Sequence, residues 1–463
     1  MQVQIPEAAI EELRRKFTGQ VVTPEDAEYN EARKIWNADI DRRPAAIAKC
    51  RNVADVQAAL GFARKEGLPV AVRSGGHSFP GHSVADGALV IDLRQINQVT
   101  LDEAARRVTV GGGAVWSEVD SATVPHGLAV TGGHVTHTGV AALTLGGGMG
   151  HLMRSLGLSS DNLLNAEIVT ADGRVLQASE TENPDLFWAI RGGGGNFGIA
   201  TRLEFQLHPM PPTVFGGLIF YAPENGPKLM RMYNEICKTM PDQVTTILGY
   251  LHAPPLPFVP EPVQFKPGYA VIAVCTDQSI GERVLAPLRE FGPPLFEMIA
   301  PLPYPVVQCL FDPALPPGTK GYMNGHYFHE LSEDLITAIH AHTTQMPPGH
   351  SQMLMLELGG AVARVPEDAT AFGGRQAGFL SMFVGIWEET GDRAPAVAWA
   401  RGFTQDTERL SLGGSYVNLA DDMSEAKLVT SYGQAKYDKL AKLKAKYDPE
   451  NVFRLNQNIK PRA

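Results

Sequence analysis

Two adjacent glycines set between two short β-type runs limit what the chain can build around residue 75. Leu68-Pro69-Val70-Ala71-Val72 leads into Arg73-Ser74-Gly75-Gly76-His77-Ser78, and a second apolar run, Leu89-Val90-Ile91-Asp92-Leu93, follows. Such glycines let backbone N–H groups turn inward around a diphosphate, and the histidine beside them stands at the edge of whatever is held there. His77 is therefore a candidate attachment point for a flavin. A Gly-Gly turn with a neighbouring histidine is also an ordinary loop, so the hexapeptide needs support from the rest of the chain.

At 463 residues the chain exceeds one ordinary core, which implies two domains or one domain interrupted by another. Its 44% apolar and 19% charged content fits a well-buried globular protein, and its glycines gather in clusters rather than in low-complexity linkers. The net charge of −10 argues against a nucleic-acid or anionic-membrane surface and leaves a neutral or cationic small molecule as the compatible partner. Cys50, Cys237, Cys275 and Cys309 are scattered without CxxC spacing, as buried thiols in a reducing compartment would be. With no basic, apolar leader and no run long enough to span a bilayer, the expectation is a cytoplasmic protein.

Local patterns divide the chain further. Ile10, Leu13 and Phe17 share one face of an N-terminal helix. Asn52 is placed to cap a helix carrying Val53, Val56, Leu60 and Ala63, with Gly67 ending it before the strand that leads to His77. Residues 107–110 read as a strand, 166–176 as a hairpin around Asp172-Gly173, and Asn183-Pro184-Asp185 as the cap and first turn of a helix through Ile190. Beyond residue 212 the texture changes. Strands are expected over 214–221, 245–251, 269–275, 353–358 and 379–387, and helices over 227–238, 280–290 and 394–410, which predicts an antiparallel sheet with a helical backing. Tyr437, Leu440, Leu443 and Tyr447 then form a helical stripe.

Four more motifs follow the first in order. They are Thr138-Gly139-Val140-Ala141-Ala142-Leu143-Thr144-Leu145-Gly146-Gly147-Gly148-Met149-Gly150, then Gly157-Leu158-Ser159-Ser160-Asp161-Asn162, then Arg191-Gly192-Gly193-Gly194-Gly195-Asn196-Phe197-Gly198, and finally Asn456-Gln457-Asn458-Ile459. The series resembles the vanillyl-alcohol oxidase superfamily of flavoproteins, with its PCMH-type FAD-binding fold, and within it the bacterial, berberine bridge enzyme-like branch. The resemblance covers most of residues 30–210 and 413–461. It implies an α+β fold in which residues 1–209 (PCMH-type from about 40) and 413–463 form a two-part FAD-binding domain, with 210–412 inserted between them to bind substrate.

Carried onto matching positions, the resemblance implies FAD contacts from Arg73, Ser74, Gly75, Gly76, His77, Ser78, His82 and Ser83. It adds His137, Thr138, Gly139, Thr144, Gly146, Gly147, Gly148, Gly150 and His151, then Asp161 and Asn162, then Gly195, Gly198 and Ile199, and finally Tyr416, Asn418, Asn456 and Asn458. Some members hold FAD through a histidine and a cysteine. Alignment on Gly146-Gly147-Gly148 puts Val135 at the cysteine position, so a single link from His77 to the flavin 8α carbon is expected, and no thioether.

Competing motifs are weaker. Gly193 to Gly198 formally match GxGxxG but follow a helix and precede a strand, the reverse of the dinucleotide fingerprint. His134 and His137 form HxxH in a glycine-flanked loop without an acidic or cysteine partner, so no metal is expected, and His151 reads as structural. For the catalytic base the resemblance favours Tyr416, whose phenol needs a neighbouring cation or hydrogen bond to act near neutrality. Glu357, Glu388, His326 and His329 compete with it, and spacing does not choose among them. The implied reaction is oxidation of a small alcohol or amine by bound flavin, with dioxygen as acceptor and hydrogen peroxide as product. A dehydrogenase or oxidative cyclase of the same fold, or a flavin-binding protein without turnover, are the alternatives.

Overall fold

The computed structural model describes residues 5–388, 390–419, 421 and 423–462. A four-stranded sheet comes first, in the spatial order Gln20–Val22, Ala46–Lys49, Leu89–Asp92 and Val70–Arg73. Its last three strands run parallel. The helix Val53–Lys65 provides the crossover between two of them, and the Asn52 side chain accepts a 3.0 Å hydrogen bond from Asp55 N–H at its start. Gly67, at φ +67°, closes that helix, so the strand carrying Arg73 leaves at a fixed angle.

A five-stranded antiparallel sheet follows, ordered Val99–Asp102, Arg107–Gly111, Ile199–Gln206, Leu163–Val169 and Val175–Ser179. Its apolar residues share a core with Trp116, Phe187 and Phe197 and with Tyr437, Leu440 and Ala441 of the helix Gln434–Tyr447. The stripe read from the sequence is the face that packs there. Asn183 departs from its expected role. It holds a left-handed backbone (φ 47°) and makes no side-chain cap; its amide instead donates to Gln177 O at 2.7 Å.

The large sheet contains the strands Phe296–Leu302, Val214–Tyr221, Pro267–Cys275, Val244–His252, Gln352–Glu357, Phe379–Trp387 and Lys320–Asn324 in that order, all antiparallel, with Tyr327–Phe328 pairing at one end. Alternate residues separate to two faces. Met353, Met355, Phe379 and Phe383 pack with Leu229, Leu285, Ile336 and Phe403 of the helical backing. Leu354, Leu356, Met382 and Val384 point the other way and meet Val135, Met149 and Tyr416. Among the segments that pattern reading passed over are the edge strand Phe296–Leu302, which contains Pro301, the strand Lys320–Asn324 and the helix Glu333–Thr343.

Candidate functional site

One long cavity runs between the glycine motifs and the bare face of the large sheet. On one side it is lined by Ser74, Gly75, Gly76, His77, Ser78, His82 and Ser83, by Thr138 and Gly139, by Gly195, Gly198 and Ile199, and by Tyr416, Asn418 and Asn456. Ile247, Gln352, Leu354, Leu356, Met382 and Val384 line the other side. Fifteen of the residues expected from the sequence thus converge on one space, drawn from segments far apart in the chain.

Close backbone approach explains the glycines. A Cβ at Gly75 would lie 2.4 Å from Gly139 N, and one at Gly139 would lie 2.3 Å from Gly75 N, so the first two glycine loops touch main chain to main chain. The Ser74 hydroxyl donates to Gly112 O at 2.7 Å and fixes the turn. Arg73 is buried behind it, donating to Ala32 O at 2.6 Å and standing 3.6 Å from Asp92; it supports the loop and does not line the cavity.

The His77 ring lies flat on Trp36 and 4.9 Å from the ring of His137. Trp36 is itself held by Nε1 donating to Leu315 O (3.0 Å) and by its N–H donating to Gly76 O (3.1 Å). Burial, with a smaller push from His137, drives the His77 pKa down to about 3. The imidazole is therefore neutral at physiological pH, and its Nε2 has no partner. His82 Nε2, Ser83 Oγ and Asn456 Oδ1 are likewise buried without partners at the cavity wall. Unsatisfied polar atoms gathered around narrow, glycine-lined space fit an extended, polar cofactor such as FAD.

Tyr416 sits at the junction of the two walls. Its hydroxyl oxygen accepts hydrogen bonds from Gly148 N–H (2.9 Å) and Asn418 Nδ2 (2.8 Å), and Asn418 Nδ2 also reaches Leu143 O at 2.9 Å. Burial pushes the phenol up to about 12, against the pull of those donors. Gly146 is required here, because a Cβ would meet Asn418 Oδ1 at 2.0 Å. Gly146, Gly147, Gly148 and Gly150 accordingly support the lining rather than form it. Thr144, whose Oγ1 is buried without a partner, also stands behind the wall.

Other expected residues fall outside the cavity for identifiable reasons. The Asp161 carboxylate accepts from Leu158 N–H and pairs with buried Arg375 at 2.6 Å. Asn162 donates to Leu156 O and Leu158 O. Both side chains hold a turn. His151 is fully enclosed, edge-on to His134 at 4.8 Å and stacked on Phe311, while His137 belongs with His77, so the HxxH pair faces two different neighbours. Asn458 does not reach the lining.

Among the competing bases, Glu357 faces away from the cavity in the odd register of its strand. It is buried against Arg154, which also donates to Val244 O, Met240 O and Leu358 O, and burial raises its pKa to about 8 despite that cation. Glu388 and His329 are exposed, and His326 turns its two ring nitrogens toward Gly414 O and Thr404 O. Trp36 and Gln352 are the site residues that motif reading missed. Neither carries a local signal: Gln352 lines the cavity by strand register, and Trp36 stands behind the lining, stacked on His77.

The C-terminal segment closes the third glycine loop. Asn196 Oδ1 accepts from Ile459 N–H at 3.0 Å, Asn456 Nδ2 donates to Gly195 O at 3.3 Å, and the buried Lys444 ammonium donates to Asn196 O, Asp448 and Phe453 O. Gln457 joins Asn456 in the lining.

Residues 44–179 match the FAD binding domain family, and residues 415–460 match the family described as berberine and berberine like. An FAD-linked oxidoreductase of Dictyostelium discoideum is 32% identical over 460 residues, covering 98% of this chain and 97% of that protein. The (R)-6-hydroxynicotine oxidase of Paenarthrobacter nicotinovorans is 31% identical over 96% of this chain and 97% of its own length. The crystal structure of 6-hydroxy-D-nicotine oxidase from Arthrobacter nicotinovorans superposes with a TM-score of 0.87 at 27% identity, covering 96% of this chain and 98% of that one. With its glycine motifs and its C-terminal segment meeting at one cavity, the chain belongs to the berberine bridge enzyme-like FAD-linked oxidoreductases and is an FAD-dependent oxidoreductase.

Proposed function

We propose that this protein is an oxidase of small alcohols or amines, with FAD held by one covalent bond through His77, Tyr416 as the proton-accepting group, and residues 210–412 as the substrate-binding insertion. The observation that carries this reading is the placement of Tyr416, whose oxygen takes two N–H donors at the point where the glycine wall meets the apolar wall. Those donors stabilise the phenolate against the burial that lifts the phenol to about 12, so it is the ionised fraction of Tyr416 that would accept the heteroatom proton of a substrate. Bound flavin would supply the two-electron acceptance, taking a hydride equivalent from the substrate carbon and returning the electrons to dioxygen as hydrogen peroxide.

The residues around His77 serve attachment. Its neutral ring keeps an available lone pair, and Trp36 and His137 fix the ring plane. Val135, at the wall, has no group able to form a second bond. That the Paenarthrobacter nicotinovorans relative is an oxidase supports dioxygen as the acceptor. Reduction of the holoenzyme by substrate under argon, followed by admission of air, tests the assignment. Rapid reoxidation with stoichiometric peroxide is expected; reoxidation only by an added quinone would replace the oxidase with a dehydrogenase.

A further inference from the structure

The wall that the large sheet turns to the cavity has an unusual chemical economy. Strand register sets Gln352 opposite Val384, which in turn faces Met323, so these three form one row across three strands. The next row is Leu354 with Met382, and Leu356 with Ile247 extends the surface. All of these side chains line the cavity, and among the described residues contributed by this sheet Gln352 is the only polar one. Gln352 is 3% exposed, and its Nε2 has no hydrogen-bond partner.

A buried amide without a partner, set in a hydrocarbon surface and aimed into a cavity, is a cost to the empty protein that a ligand removes. An aliphatic wall of this kind offers nothing to a ring of hydroxyl groups, each of which would lose water without replacement. It matches hydrocarbon.

Building on the oxidase reading above, we infer that the substrate is a compact, mainly hydrocarbon alcohol or amine bearing one hydrogen-bond-accepting group, such as a carbonyl oxygen, and that Gln352 recognises that group. An oligosaccharide is not the substrate class. Gln352 determines specificity through its amide, while the aliphatic rows set the shape of the remainder.

The test uses the holoenzyme with benzyl alcohol and benzylamine, their para-acetyl derivatives, and xylobiose, following anaerobic flavin bleaching and, separately, the ligand-induced change in the visible flavin spectrum. The wild type is expected to favour the para-acetyl compounds by about tenfold or more in kcat/KM. In Gln352→Leu that ratio should collapse toward one, with flavin content and melting temperature retained. Gln352→Glu, which presents an acceptor in place of the donor, should disfavour the acetyl compounds. Xylobiose bleaching the flavin more efficiently than the benzylic compounds would overturn the inference and leave the oxidase reading standing. Equal treatment of acetyl and parent compounds, or no spectral response to any benzylic ligand, would overturn it as well. Gln352-dependent spectral binding of the acetyl compounds without bleaching would sustain the inference and remove the oxidase reading instead.

Discussion

The indole of Trp36 lies nearly parallel to the imidazole of His77, with ring centroids 4.3 Å apart and planes 20° from one another. Because Trp36 is bonded through Nε1 to Leu315 O and through its N–H to Gly76 O, the histidine is clamped from a part of the chain that carries none of the glycine motifs. Flavin fluorescence should remain with the denatured wild-type band and vanish in His77→Ala. Trp36→Ala should still bind FAD yet carry a several-fold smaller covalent fraction, read from flavin released by acid precipitation.

Tyr416→Phe keeps the ring that packs among the apolar residues and removes only the oxygen. Its kcat should fall by about 10²–10⁴, the usual contribution of a positioned proton-transfer group, with flavin binding unchanged. Since burial lifts the phenol to about 12, the wild-type rate should climb with pH across the neutral and mildly alkaline range, and that climb should be absent in the variant. A pH–rate profile of both proteins checks this.

Asp120, on the helix Trp116–Thr123, is buried with Oδ2 unpartnered, and burial raises its pKa to about 7. A carboxyl raised on folding contributes its stability below the unfolded value, near 4, and loses it as pH rises to about 7. The advantage of Asp120→Asn in melting temperature should therefore grow from pH 4 to 7 and then level off. Buried His134, depressed to about 4, works with the opposite sign: its contribution is intact above about 6.5 and is lost as pH falls toward 4. Thermal melts across pH separate the two.

Lys444 and Asp448 are both fully buried, and the ammonium also serves Asn196 O and Phe453 O. Lys444→Met strands the Asp448 carboxylate in the interior, a change worth about 3–5 kcal/mol. Denaturant unfolding should register that loss, together with weakened FAD retention, because the third glycine loop loses its anchor.

What the sequence disclosed about the site follows from locality. Gly75, Gly139 and Gly146 are legible because only glycine allows the approaches they make, and that demand is written in residue type. The strands at 214–221 and 379–387 were equally plain, being long β-branched and aromatic runs. Gln352 and Glu357 lie on one strand, and only the observed register tells that the first faces the cavity and the second the helices. Asp161 and Asn162 border a glycine loop and resemble ligand groups, yet their side chains are consumed by local backbone and by Arg375. The strand Phe296–Leu302 escaped notice because Pro301 is tolerated only at an edge, a status conferred by its neighbours.

Asn456 and Gln457 share a cavity wall with Val70 and Ser74. Without the segment that follows the large sheet, that wall would lack both residues, and the third glycine loop would lack the Lys444 and Ile459 bonds to Asn196 that close it. The cavity is thus completed by a residue 261 positions beyond the loop it closes, and a chain truncated before the helix Gln434–Tyr447 should fail to retain FAD.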